Sequence, residues 1–224
     1  MTEDTFDIRV DPGRPDFVVD GAPGAMLVII SGPSGVGKDT IIDALRRRET
    51  ESGRDRDRHY VVTCTTRPPR NGEIDGVHYH FMSRDAFLRL HAARGFLEAN
   101  EVHGNWYGSP RAEVRDALVA GKDVILKIDV QGAQVVKSQV TEAFLIFVVP
   151  PSMEELFARL RARATETAEQ LELRQRDAAI ELARQGDYDE VVTNETGQVE
   201  ETAAEIERII DQQHGRHPRR RVRI

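Results

Sequence analysis

The residues best suited to chemistry are contiguous: Gly32, Pro33, Ser34, Gly35, Val36, Gly37, Lys38, Asp39 and Thr40, written GPSGVGKDT. Glycines at this spacing let the backbone curl so that successive N–H groups converge on one anion, and Lys38 brings a full positive charge to the terminal phosphates. The string follows the apolar run Met26 to Ile30 and precedes Ile41, Ile42 and Leu45, so it reads as strand, glycine-rich turn and helix start. That chemistry implies a bound nucleoside triphosphate. One position is irregular. A Ser or Thr hydroxyl commonly follows the lysine to ligate magnesium, whereas here Asp39 holds that place and the hydroxyl comes at Thr40. Asp39 and Thr40 are the expected metal ligands.

A second group lies in TTRPPRNGEIDGVHYHF, residues 65–81, where Arg67 and Arg70 flank two prolines and Tyr79 follows. Two guanidinium forks and a phenol suit a phosphate, since arginine binds its oxygens bidentately and stays charged at any pH. Taken alone, the arginines read equally well as solvated surface charges. After a phosphate loop, they suggest a phosphoryl acceptor beside a donor.

These groups need a scaffold. Asp123 to Ile128 and Phe144 to Val149 are near-continuous apolar runs, each followed by a helical pattern, which predicts a parallel sheet covered on both faces. Tyr60 to Cys64 reads as another strand, Ser83 as the cap of a helix that Gly95 ends, and Ser109-Pro110 as the start of a helix that Gly121 ends. Ser152 to Glu155 has capping-box spacing, and Glu190 to Thr193 is a last short strand. Between Leu160 and Leu173 the sequence turns polar and arginine-bearing, as a lid between two helices would.

With 224 residues the chain supports one main core. A net charge of −7 argues against a nucleic-acid binder, and no apolar stretch approaches the length of a bilayer span. Cys64, the single cysteine, fits a reducing compartment and a core position. A cytoplasmic protein is expected. Residues 1–24 read as a loosely ordered extension and 214–224 as a basic, solvated tail.

Five segments, GPSGVGKDT, TTRPPRNGEIDGVHYHF, FLEANEVHGNWYGSP (96–110), IDVQGA (128–133) and VVPPSMEELFARLRARATE (148–166), stand in the order and spacing found in guanylate kinases. The chain resembles that family over about residues 26–211. The resemblance implies an α/β fold: a P-loop NTPase-type parallel sheet flanked by helices, with a small inserted α+β GMP-binding lobe and a helical lid. In residue numbers it implies a domain over 25–213, with core 25–58, 122–158 and 175–213, lobe 59–121 and lid 159–174. It implies transfer of the γ-phosphate of ATP to GMP with magnesium, in a monomer or homodimer. Arg67, Arg70, Tyr79 and Tyr107 would hold the GMP phosphate, and Glu98, Thr63, Ser109 and Asp129 would read the base. Guanine presents N1–H and a 2-amino group to one carboxylate, whereas adenine would leave that carboxylate facing a lone pair. Lys38, with Arg159, Arg163 and Arg174 from the lid, would neutralise the transferring phosphoryl group, and Asn194 would lie beside the adenine of ATP.

The family pattern Asp-x-Asp at the strand end is here Lys127-Ile-Asp129. Two readings stand: Asp39 and Lys127 are a paired exchange, or Lys127 reaches solvent and Asp39 ligates magnesium by itself. Two other functions also fit parts of the pattern. One is a ribose 1,5-bisphosphate kinase, in which GKD also occurs; the other is a non-catalytic module that binds phosphopeptides. The first lacks the guanine-reading set, and the second typically loses the loop glycines and lysine.

Overall fold

The computed structural model describes residues 20–52, 58–161, 168–217 and 220–224, without the side chains of 168–170. Strand β1 (Leu27–Ser31) is buried at all five positions. A strand buried on both faces needs helices on both sides, and the period of two divides its neighbours. Val28 and Ile30 pack with Ile41 and Leu45 of α1 (Lys38–Ser52) and Ile206 and Ile210 of α7 (Val199–Arg216). Leu27 and Ile29 pack with Val114 and Leu118 of α3 (Arg111–Val119) and Ala133 and Val136 of α4 (Val130–Gln139). Each such fully buried aliphatic side chain contributes roughly 1.5–3 kcal/mol relative to exposure. The result is a three-layer α/β core.

The central sheet is parallel throughout. Its order is β2 (Arg58–Tyr60), β7 (Asp123–Lys127), β1, β8 (Phe144–Val149), β9 (Glu190–Thr193). A second, four-stranded sheet runs β4 (His80–Phe81), β3 (Cys64–Thr65), β6 (Asn105–Pro110), β5 (Phe96–Val102). Helix α2 (Arg84–Ala92) closes it through Phe87, whose ring stacks on Phe96 at 4.4 Å between centroids. Cys64 is fully buried in that small core, and burial raises its thiol pKa. Helices α5 (Met153–Arg161) and α6 (Ala168–Leu182) take up the two ends of the expected lid, 159–174, and Arg163 between them lies outside the described residues.

Several local expectations hold. Ser83 caps α2, accepting from Ala86 N at 3.2 Å, and Ser152 accepts from Glu155 N at 3.2 Å at the start of α5. Three others differ. The β-rich run from Tyr60 to Cys64 is two strands in two sheets: β2 pairs with β7, β3 pairs with β6, and the chain crosses between them. Contiguous strand propensity does not reveal a change of partner. Ser109 is not a helix cap, because its buried hydroxyl bonds Glu98 and Pro110 takes the cap position without a side-chain bond. The basic tail is not simply solvated. Gly21 N donates to Val222 O at 2.8 Å, Gly24 N donates to Arg220 O at 2.9 Å, and Val222 is buried in the core on the α3 side.

Candidate active site

The glycine-rich turn leaves the carboxyl end of β1 and enters α1, the place where a parallel sheet opens toward ligands. Gly32 has φ +142°, and a Cβ there would fall 2.3 Å from the Val148 carbonyl oxygen, so only glycine lets the loop pass so close to β8. Lys38 curls back over the loop, donating to the carbonyls of Gly32 at 2.5 Å and Pro33 at 3.0 Å. Burial pulls its ammonium pKa down, against the opposing pull of Glu181, Asp39 and Asp129.

This loop forms one wall of a cavity of about 630 Å³ whose other wall is the small lobe. The cavity brings together Gly32, Ser34, Gly35, Gly37, Lys38 and Asp39 with Thr63, Arg67, Arg70, Tyr79, Glu98, Tyr107 and Asp129, and with Arg174 from α6. Arg67 is held by Glu73, donating to its Oε1 at 2.8 Å, and its guanidinium lies 5.5 Å from the Tyr79 ring centre. Tyr79 and Tyr107 meet edge to face at 6.1 Å. Two arginines and two phenols therefore face one end of the cavity.

The other end of the small lobe holds a carboxylate. Hairpin β5–β6 sets Glu98 directly across from Ser109, whose hydroxyl donates to Glu98 Oε1 at 2.6 Å. Asn100 Nδ2 donates to Oε2 at 2.9 Å. Glu98 is only 4% exposed, and burial raises its carboxyl to about 7 despite those two donors. Thr63 is buried in the same cavity, and its hydroxyl has no partner among the described residues. Asp129 caps α4 by accepting from Gly132 N at 2.8 Å. Gly132 leaves room for the carboxylate in this position, since a Cβ would lie 2.9 Å from Glu98 Oε2 and push it aside.

Not every expected residue reaches the cavity. Arg159 donates to the Val36 carbonyl at 3.2 Å, the Asn194 carbonyl at 3.0 Å and Thr196 Oγ1 at 2.8 Å, so it braces the back of the loop. Asn194 is buried, donating to Val36 O at 2.7 Å and accepting from Thr202 at 3.2 Å, which leaves its amide engaged inside the protein. Thr40 turns its hydroxyl to the Gly37 carbonyl at 2.7 Å and does not line the cavity. Conversely, three residues go beyond the sequence reading. Asn100 and Glu73 orient the two ends of the acceptor half, and Glu181 of α6 accepts from Ser34 N at 3.2 Å inside the phosphate loop. Only Glu181 works through a partner distant in sequence; Glu73 lies six residues from Arg67 in the same turn, and Glu98 and Asn100 are an i, i+2 pair that the strand alternation could have revealed. Lys127 does not reach for solvent. Its ammonium bonds Asp39 Oδ1 and donates to Tyr79 Oη at 3.3 Å.

A phosphate loop facing a second anion site and a base-sized polar pocket across one cavity defines a protein that brings a nucleoside triphosphate to another phosphorylated nucleotide. The guanylate kinase family model matches residues 24–213. The guanylate kinase of Clostridium perfringens (strain SM101 / Type A) is 44% identical over 185 residues, covering 83% of this chain and 82% of the relative. That of Thermobifida fusca (strain YX) is 46% identical over 168 residues, covering 75% and 83%. The crystal structure of guanylate kinase from Anaplasma phagocytophilum superimposes with a TM-score of 0.67 at 32% identity, covering 84% of this chain and 86% of that one. The chain belongs to the guanylate kinase family.

Proposed function

We propose that this family member, an ATP:GMP phosphotransferase yielding ADP and GDP, carries out the reaction across the cavity between phosphate loop and small lobe. The observation that carries the residue-level reading is Glu98: a buried carboxylate already oriented by Ser109 and Asn100, with the Thr63 hydroxyl, which has no partner among the described residues, in the same cavity. Guanine supplies the two N–H donors such a carboxylate needs, and adenine does not. Arg67, Arg70, Tyr79 and Tyr107 receive the GMP phosphate. Lys38 and the loop N–H groups receive the triphosphate, with Arg174 adding charge from α6 and Arg163 assigned the same role on the lid.

A phosphate oxygen of GMP bonds to the γ-phosphorus of ATP while the bond to the β,γ-bridging oxygen breaks, and its electron pair leaves with ADP. The protein's contribution is position and charge. Arg159 and Asn194 serve this indirectly by fixing the Val36 carbonyl and so the loop's shape. Asp39 fits magnesium: its carboxylate lies on the first turn of α1 beside Lys38, lines the cavity and is partly exposed. Asp39 would hold the ion with triphosphate oxygens, where it would neutralise charge on the β- and γ-phosphates.

ATP and GMP are thus the proposed small-molecule partners. The charge of −7 favours neither nucleic acid nor an anionic membrane surface, and no helix among the described residues is long and apolar enough to cross a membrane. A cytoplasmic location accords with a reduced, buried Cys64. The test is ADP release with GMP, AMP or ribose 1,5-bisphosphate as acceptor. Turnover with GMP at least about 10³-fold above AMP is expected. Turnover with the sugar bisphosphate alone would overturn the reading.

A further inference from the structure

Lys127 is the last residue of β7, in register with Ile30 just before the phosphate loop. Its side chain is 13% exposed, and its two contacts belong to opposite halves of the cavity. Asp39 follows Lys38 on the donor side. Tyr79 stands with Arg67 and Tyr107 on the acceptor side, with its ring centre 4.3 Å from the Lys127 ammonium. The Lys127 nitrogen thus touches one residue on each side of the cavity, between the two phosphate sites proposed above. An ammonium has three N–H donors, and Asp39 and Tyr79 use two of them.

We propose that Lys127 is a further catalytic residue, whose ammonium contacts the phosphoryl group in flight between ATP and the GMP phosphate. The inference rests on the cavity being the ATP:GMP site. During transfer the charge of the phosphoryl group spreads over three equatorial oxygens, and a fixed cation in a water-poor site stabilises it far more than one in solvent. Lys127 keeps all its protons throughout. Its bond to the Tyr79 oxygen also leaves the phenol proton directed elsewhere, available to the acceptor phosphate. Asp39 supplies the counter-charge that such a buried ammonium needs when no nucleotide is present. A basic side chain at this strand end therefore reinforces the arginines from inside the rigid core, whatever the position of the lid.

The competing account is that Lys127 only cancels the Asp39 charge, and the two predict opposite outcomes for a double variant. Lys127→Met, Lys127→Arg, Asp39→Asn and Asp39→Asn with Lys127→Met are compared by steady-state ADP release. GMP affinity is measured by calorimetry without ATP or metal. Lys127→Met is expected to lose about 10²-fold in kcat and to weaken GMP binding about fivefold, with Lys127→Arg recovering at least tenfold of the rate. Because Asp39 is also the proposed magnesium ligand, the double variant is read against Asp39→Asn, and it should fall at least about tenfold below that single variant. A double variant within threefold of Asp39→Asn, or Lys127→Met at the wild-type rate, would overturn the proposal. Cooperative melting is checked for each protein, and Lys127→Gln carries the same expectation should Lys127→Met fail to fold. A wild type that phosphorylates another acceptor and not GMP would instead remove the acceptor assignment, and the same variants would then be read with the acceptor that works.

Discussion

The acceptor and donor halves of the cavity are prepared in opposite ways. In the acceptor half, Glu98 is held at both oxygens by neutral donors, Arg67 is held by Glu73, and the Thr63 hydroxyl has no partner among the described residues. Glu98 and Arg67 are oriented by neighbours within the small lobe. In the donor half, the loop's groups are already engaged: Lys38 with two loop carbonyls, Ser34 N with Glu181, and Ser34 Oγ with Arg174 at 2.5 Å. Two of these contacts come from α6, and a triphosphate on the loop would exchange with them. On the function proposed above, specificity would be fixed geometry on a small sheet, and donor binding would be coupled to α6.

The sharpest way to break this contrast is Glu98→Gln, which replaces an acceptor oxygen by a donor facing guanine's own N–H groups. KM for GMP should rise about 10²-fold or more while KM for ATP stays within about twofold. Equal effects on both would mean that the halves are not separate. Gly132→Ala tests the same pocket sterically, by placing a methyl against Glu98 and Asn100. A rise of about tenfold in KM for GMP, with little change in melting temperature, is expected; an unchanged KM would show that the carboxylate is not fixed.

Acidity gives a third test. Burial raises the Glu98 carboxyl to about 7 in the free protein, and the base-reading role proposed for it requires the ionised form. KM for GMP should therefore fall about tenfold from pH 6 to pH 8, and a Glu98→Gln variant should lose that slope apart from the titration of GMP itself. Stability runs the other way. Between pH 4.5 and 7 the folded protein keeps a proton that the unfolded chain has released, so the melting temperature should drop as pH rises through that window. A flat melting profile would contradict the raised carboxyl.

The smallest expected effect is on the donor side. Glu181 accepts from Ser34 N, and its carboxyl is pushed up by burial with Lys38 opposing. Glu181→Gln removes a negative charge that competes with the triphosphate, so calorimetry with ATP should show binding tightened about threefold. Weaker binding would recast Glu181 as a support of the loop rather than its occupant.

How legible all this was depends on how local each signal is. The phosphate loop can be read directly because its groups are contiguous and its strand and helix flank it in sequence. Lys127 and Asp39 stand far apart in sequence, yet both broke a local rule, which was enough to suggest that they meet. Glu98 and Ser109 became legible only through resemblance to a family, because their pairing comes from hairpin register. Glu181 and the bracing role of Arg159 were not legible, because each depends on where separate elements pack; Glu73 is local to Arg67, but the turn conformation that joins them carries no sequence pattern. The C-terminal segment misled through composition. Its arginines suggest solvent, while one valine and a few backbone bonds decide where it lies.

That segment makes the two ends of the described chain neighbours. Asp20 and Arg223 form an isolated bridge, His214 meets the Asp123 carboxylate at 2.5 Å, and the other Asp123 oxygen accepts from Met26 N at 3.0 Å. In topological terms the domain is a nearly closed ring. New termini could be cut at an exposed turn such as His103-Gly104 once the old ends are spliced, leaving the order of the central sheet intact.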